Sequence, residues 1–142
     1  MAAEYSYPLV QTVAANGANV LFLNGDRCCK KGIIHHNNSS GVFRIKGVGG
    51  CRSIYKVHFN ANGAVSAGGT AGPISLALKQ NGETIQSAIA TVTPTVAEAF
   101  FNVGFEKFIE LPCGCCDTIS IENISETDVD VINANLIIDR VA

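Results

Sequence analysis

Asn-Gly occurs four times in this chain, at Asn16-Gly17, Asn24-Gly25, Asn62-Gly63 and Asn81-Gly82. Most of these dipeptides sit beside short runs in which apolar and polar residues alternate. A type I′ hairpin turn needs positive φ at both central residues, which Asn and Gly adopt at little steric cost, and its twist matches that of the strands it joins. Four such signals predict an all-β protein built from hairpins.

Alternation with period two places the strands. Short strands are expected over 9–13 and 19–24, and another over 42–46. In 53–60, Tyr55, Val57 and Phe59 share one face while Lys56, His58 and Asn60 share the other. In 74–79, Ile74, Leu76 and Leu78 oppose Ser75, Ala77 and Lys79. Asn81-Gly82 then turns the chain back into a partner over 84–92, which stops at Pro94 because proline donates nothing to a ladder. Over 96–111, Phe101, Val103 and Phe105 hold one face, and Phe108 with Ile109 disturbs the phase, which predicts a bulge. A short helix over 96–101 competes, since Thr95-Val96-Ala97-Glu98 has the form of a capping box.

Residues 118–122 alternate again. The last run, 129–141, has Ile132, Ala134, Leu136 and Ile138 on one face and Asn133, Asn135, Ile137 and Asp139 on the other. Apolar residues on both faces predict a central strand covered on both sides. Nine or ten strands in 142 residues predict a sandwich or jelly roll, as a single domain over 1–142. No short repeat is visible, which argues against a propeller or solenoid.

The net charge is -2, charged residues make up 15%, and no basic block exceeds Lys30-Lys31, so no nucleic-acid partner is expected. No apolar run approaches the ~20 residues that span a bilayer, so no membrane is expected either. The start, Met1 to Pro8, lacks the basic and apolar regions of a secretory signal, which predicts a chain made in a cytoplasm. A hydrophobic fraction of 47% with so few charges points to assembly, because an oligomer can cover an apolar face.

The order of these runs resembles the TNF/C1q-like jelly roll. The resemblance rests on an N-terminal strand pair, the strand Ser53-Ile54-Tyr55-Lys56-Val57-His58-Phe59, the strand from Ile74 to Gly82, the passage from Leu111 through Asp117 into Thr118-Ile119-Ser120-Ile121, and a final strand from Asn135 to Arg140. Within that superfamily the chain is similar to the small stand-alone domains in virions of phages of Gram-positive bacteria, and to the C-terminal domains of collagen-like spore-surface proteins. It has no Gly-X-Y tract, which separates it from the latter.

The resemblance implies ten strands in two sheets and a homotrimer with one sheet of each subunit around a threefold axis. It further implies a non-enzymatic virion structural protein, a capsid decoration or head or tail fibre protein bound to the major capsid or other virion proteins. A receptor- or glycan-binding tip is the alternative. If the strands around Tyr55, Phe101 and Leu136 form the inner sheet, Ile54, Lys56, His58, Phe100, Phe108 and Ile137 approach the threefold axis. Lys56 and His58 would then need polar partners across the interface.

Six cysteines, Cys28, Cys29, Cys51, Cys113, Cys115 and Cys116, fall in or near loops. The fold order implies that Cys51 and the 113–116 loop share one end of the sandwich. Zinc, later disulfide cross-links and plain reduced thiols all remain open there, although Cys-x-Cys-Cys is not zinc-ribbon spacing. His35-His36 invites comparison with the His-x-His pair of metal-binding cupins. Adjacent strand residues point to opposite faces, however, so both are expected not to meet one metal. Asn37-Asn38-Ser39-Ser40 and Asn123-Ile124-Ser125 contain glycosylation sequons, which turns produce by composition alone. Glu122, Glu126, Asp128, Asp130 and Asp139 would bind calcium only if they converged. No lipase elbow, zincin or P-loop motif is present, and neither an enzyme nor a cofactor is expected.

Overall fold

The computed structural model describes residues 2–27, 33–47, 52–112 and 116–142. Its strands are β1 (Ala2–Tyr7), β2 (Gln11–Val13), β3 (Leu23–Arg27), β4 (Ile34–His36), β5 (Val42–Lys46), β6 (Ser53–Val65), β7 (Ile74–Gln80), β8 (Glu83–Val92), β9 (Phe101–Leu111), β10 (Cys116–Asn123) and β11 (Val129–Arg140). One sheet runs β3-β1-β11-β6-β9 with β2 also on β11, and the other runs β4-β5-β10-β7-β8. β1 and β2 lie along the same edge of β11, with Tyr7 opposite Ala134 and Gln11 opposite Val131. Pro8 begins the break between them, where a proline has no N–H to give the ladder. Taken as one interrupted strand, they complete the ten strands of the expected all-β jelly-roll sandwich.

The inward faces make one core. Tyr55, Val57 and Phe59 of β6 are fully buried, as are Ile74, Leu76 and Leu78 of β7, Leu136 and Ile138 of β11, and Phe22 and Phe43. Each such side chain contributes about 1.5–3 kcal/mol on burial. Tyr5 meets Phe43 edge-on at 4.8 Å, and Phe22 meets Phe59 edge-on at 6.4 Å, the geometry that ring quadrupoles favour.

Two of the four Asn-Gly pairs are turns. Asn81 and Gly82, at φ 51° and 84°, close the β7–β8 hairpin. Asn16 and Gly17, at φ 62° and 109°, swing the chain onto β10, where Gly17 N donates to Asn123 O at 2.7 Å and Val20 N to Ile121 O at 2.8 Å. The other two lie inside strands, Asn24-Gly25 in β3 and Asn62-Gly63 in β6. Gly63 serves close packing, since an added Cβ would come within 3.3 Å of Ile74 Cδ1 on the facing sheet.

No helix forms over 96–101. Glu98 takes φ 66° and its N–H donates to Val65 O at 2.9 Å, a left-handed conformation that a right-handed helix excludes. The predicted bulge in β9 is also absent, because β9 pairs with β6 in unbroken register from Leu111–Ser53 to Phe101–Gly63. Val103, Ile109 and Leu111 face in throughout, and Phe108 is an apolar residue on the outward face. In this part of the sheet a register shift falls instead in β11, between Ile132 and Asn135, where Asn133 takes φ 58°. It changes the inward set from Val129 and Val131 to Ala134, Leu136 and Ile138. Ile132 alternates with Val131 and so leaves the face on which the periodicity put it. Phe101, expected inward, is 42% exposed at the first position of β9.

Candidate assembly face

The strands holding Tyr55, Phe101 and Leu136 do share one sheet, and its outward face can be read row by row from the register. Ala2, Asp139, Lys56 and Phe108 form one row, and Glu4, Ile137, His58 and Glu106 the next. Ser6, Asn135, Asn60 and Gly104 follow. Ile54, in the row on the other side of Lys56 and Phe108, is opposite Glu110. Five of the six expected interface residues therefore alternate outward on adjacent strands, while Phe100 directly precedes β9. Phe108 is 58% exposed and Phe100 43%; Ile54 and Ile137 are half-buried. β11 is central in this sheet, yet only one of its faces is covered by the second sheet.

Two features of this face were not legible in the sequence. Lys56 and His58 find their polar partner within the chain, for Glu106 lies 3.8 Å from Lys56 Nζ and 3.3 Å from His58 Nδ1. Half-exposed pairs of this kind are worth at most about 1 kcal/mol, so they orient the side chains more than they stabilise the sheet. The second feature is an asparagine ladder. Asn62 Nδ2 donates to Asn133 Oδ1 at 3.1 Å, Asn102 Nδ2 to Asn60 Oδ1 at 2.9 Å, and Asn135 Nδ2 to Glu4 Oε2 at 3.3 Å. Period two revealed the outward positions, but only the pairing of β1, β6, β9 and β11 joins them.

The remaining candidates separate. Cys28, Cys29, Cys51, Cys113 and Cys115 lie outside the described residues. Cys116 opens β10, with its Sγ 3.7 Å from Arg44 Nη2. His35 is exposed, whereas the His36 ring stacks on Phe43 at 4.2 Å and its Nε2 donates to Ser40 O at 2.7 Å. The two rings take opposite sides of the sheet, as strand geometry requires. Among the described residues no three His, Cys, Asp or Glu side chains converge as metal ligands. Asp130 accepts from Thr12 and Ser66, Asp128 from the Ala15 N–H, and Glu122 pairs with Lys79 at 3.3 Å.

The Asn123 sequon has a structural explanation. Asn123 is fully buried; its Nδ2 donates to the carbonyls of Val13, Ala14 and Thr127 at 3.1, 3.2 and 3.0 Å, and its Oδ1 accepts the Ser125 N–H at 2.9 Å. Ser125, also buried, accepts the Ser75 N–H through Oγ at 2.7 Å. The residues that spell an acceptor site are those that tie three loops together. Asn37 and Asn38 of the other sequon are exposed.

Burial lowers the pKa of His36 below its ordinary 6.5, with the bond to the Ser40 carbonyl acting in the opposite direction. As pH falls through 6.5, the unfolded chain takes up a proton that the folded chain resists. The stability associated with neutral His36 is therefore complete above its unfolded pKa and is lost as pH drops towards the lower folded value. Urea midpoints are expected to fall from about pH 7 to about pH 5, and less steeply in His36→Gln. Identical slopes in the two proteins would assign the fall to other groups.

No protein-family model matches the sequence, and no curated protein does. Solved structures do match. Eiger TNF from S. frugiperda superposes with a TM-score of 0.72 at 12% identity, over 100% of this chain and 92% of that one. Murine APRIL at pH 5.0 gives 0.68 at 11% identity, over 99% and 98%. The globular domain of zebrafish complement 1qA protein gives 0.56 at 15% identity, over 95% and 93%. With identities this low the likeness is one of backbone, and it extends over nearly the whole of each molecule: the chain has the TNF/C1q-like jelly-roll fold.

Proposed function

We propose that this chain is a non-enzymatic structural protein that assembles as a homotrimer through the outward face of its six-stranded sheet. The observation that carries this reading is the exposure of Phe108 near half-buried Ile54 and Ile137, on a sheet whose central strand is covered on one side only; Phe100 is exposed at the far end of β9. An exposed aromatic residue among aliphatic ones is what the middle of an interface contains. The finer assignment, a capsid decoration or head or tail fibre protein of a bacteriophage virion contacting the major capsid protein, draws its support from the sequence resemblance to small phage jelly rolls.

Light scattering of the purified protein is expected to give about 45 kDa, three times the chain mass of 14.9 kDa. A mass of one chain would overturn the trimer. Antibodies against the protein are expected to label purified virions of the phage that encodes it, and unlabelled particles would overturn the virion assignment while leaving the trimer standing.

A further inference from the structure

The outward face of the second sheet carries a row of residues that the assembly does not use. His35 of β4, Arg44 of β5 and Thr118 of β10 are successive cross-strand partners. With Asn37, Ser40 and Val42 they line a hollow of about 270 Å³. Lys46 stands in the adjacent row, opposite Cys116.

Among the described residues Arg44 has no acidic partner. Arg52 pairs with Glu110, Lys56 with Glu106 and Lys79 with Glu122, but among the described residues no carboxylate lies within ion-pair distance of Arg44. The acid beside it in sequence on β10, Asp117, is buried and accepts from Gln80 Nε2 at 2.7 Å. A guanidinium offers five donors in a planar fork that fits a carboxylate or phosphate. Here the cross-strand partners of that fork are a hydroxyl and an imidazole, groups that can bond to alcohols.

The hollow is smaller than the ~300–1,000 Å³ typical of sites that enclose drug-sized ligands, so it takes one ring. Val42, 44% exposed at its rim, supplies an apolar contact for the C–H face of such a ring. We propose that this hollow binds a single acidic sugar residue, with the sugar's oxyanion on Arg44 and its hydroxyls against His35, Thr118 and Asn37. The site lies on the sheet opposite the assembly face and is the same in a monomer and a trimer.

The test is a titration of the full chain, followed by ¹H–¹⁵N NMR at constant ionic strength, with glucuronate, glucose 6-phosphate, glucose and inorganic phosphate as probes. Glucuronate, glucose 6-phosphate or both are expected to shift the amides of Arg44 and Thr118, with glucose and inorganic phosphate each at least about tenfold weaker. Arg44→Gln is expected to weaken binding by about tenfold or more, and Arg52→Gln to leave it unchanged, since a charge-assisted hydrogen bond is lost only in the first. A response to glucuronate alone makes the oxyanion a carboxylate, and one to glucose 6-phosphate alone makes it a phosphate. Equal binding of glucose, equal binding of inorganic phosphate, retention in Arg44→Gln, or no shift with any probe would each overturn the proposal.

Discussion

Phe108→Asp is expected to yield the single chain of 14.9 kDa where the unaltered protein is expected to sediment as a trimer, with little loss of chain stability. Phe108 is 58% exposed and lies opposite Lys56 in the register, so in the isolated subunit an aspartate there meets water and a cation. A surface change of this kind alters stability by about 0.5 kcal/mol or less. In the assembly the same change removes roughly 1.5–3 kcal/mol of apolar burial from each subunit, and it buries a carboxylate at a cost of several kcal/mol more. Sedimentation velocity and thermal denaturation, run on one sample, separate the two effects. A mutant that remains trimeric would place the interface on another face of the molecule.

The largest effect on folding is expected at Asn123. Asn123→Ala removes the donor shared by the Val13, Ala14 and Thr127 carbonyls and the acceptor of the Ser125 N–H. Unpaired buried groups cost about 1–3 kcal/mol each, so the variant is expected to lose roughly 3–5 kcal/mol, the range in which broken buried networks stand out from ordinary substitutions. Urea unfolding gives the number directly. A loss below about 1 kcal/mol would mean that water enters and replaces the amide.

Much of the sandwich was legible because its strands are covered on one face and bare on the other. Tyr55, Val57 and Phe59 against Lys56, His58 and Asn60 show this, and so do Ile74, Leu76 and Leu78. Asn81-Gly82 was legible because the strands on either side fix its role, while Asn62-Gly63 misled because the same two residues also suit a strand where sheets approach closely. The shift in β11 was invisible, since Ile132 is as apolar as the inward residues that follow it and only Asn133, in a left-handed conformation, marks the change. Of the assembly face, the outward positions on β6, β9 and β11 could be read from period two. Glu106 and the asparagine ladder could not, because they depend on which residues stand opposite one another on strands whose bonded side chains are up to 131 positions apart in the chain. Of the six cysteines, only Cys116 lies among the described residues.

The position of β11 bears on how the chain is made. Ala2 pairs with Asp139 and Val57 with Ile138, so the strand that leaves the ribosome last of those described is the one that lies between β1 and β6. Until it emerges, two ladders stand open and Tyr55, Val57 and Phe59 lack the neighbours that cover them. Closure of this sheet therefore waits for β11, and the long-range pairing it requires belongs to the slow, milliseconds-to-seconds class of β topologies. During that interval the open edges are templates for strands of other nascent chains. A ribosome that stalls before Val129 would release an aggregation-prone chain, not a partly working one.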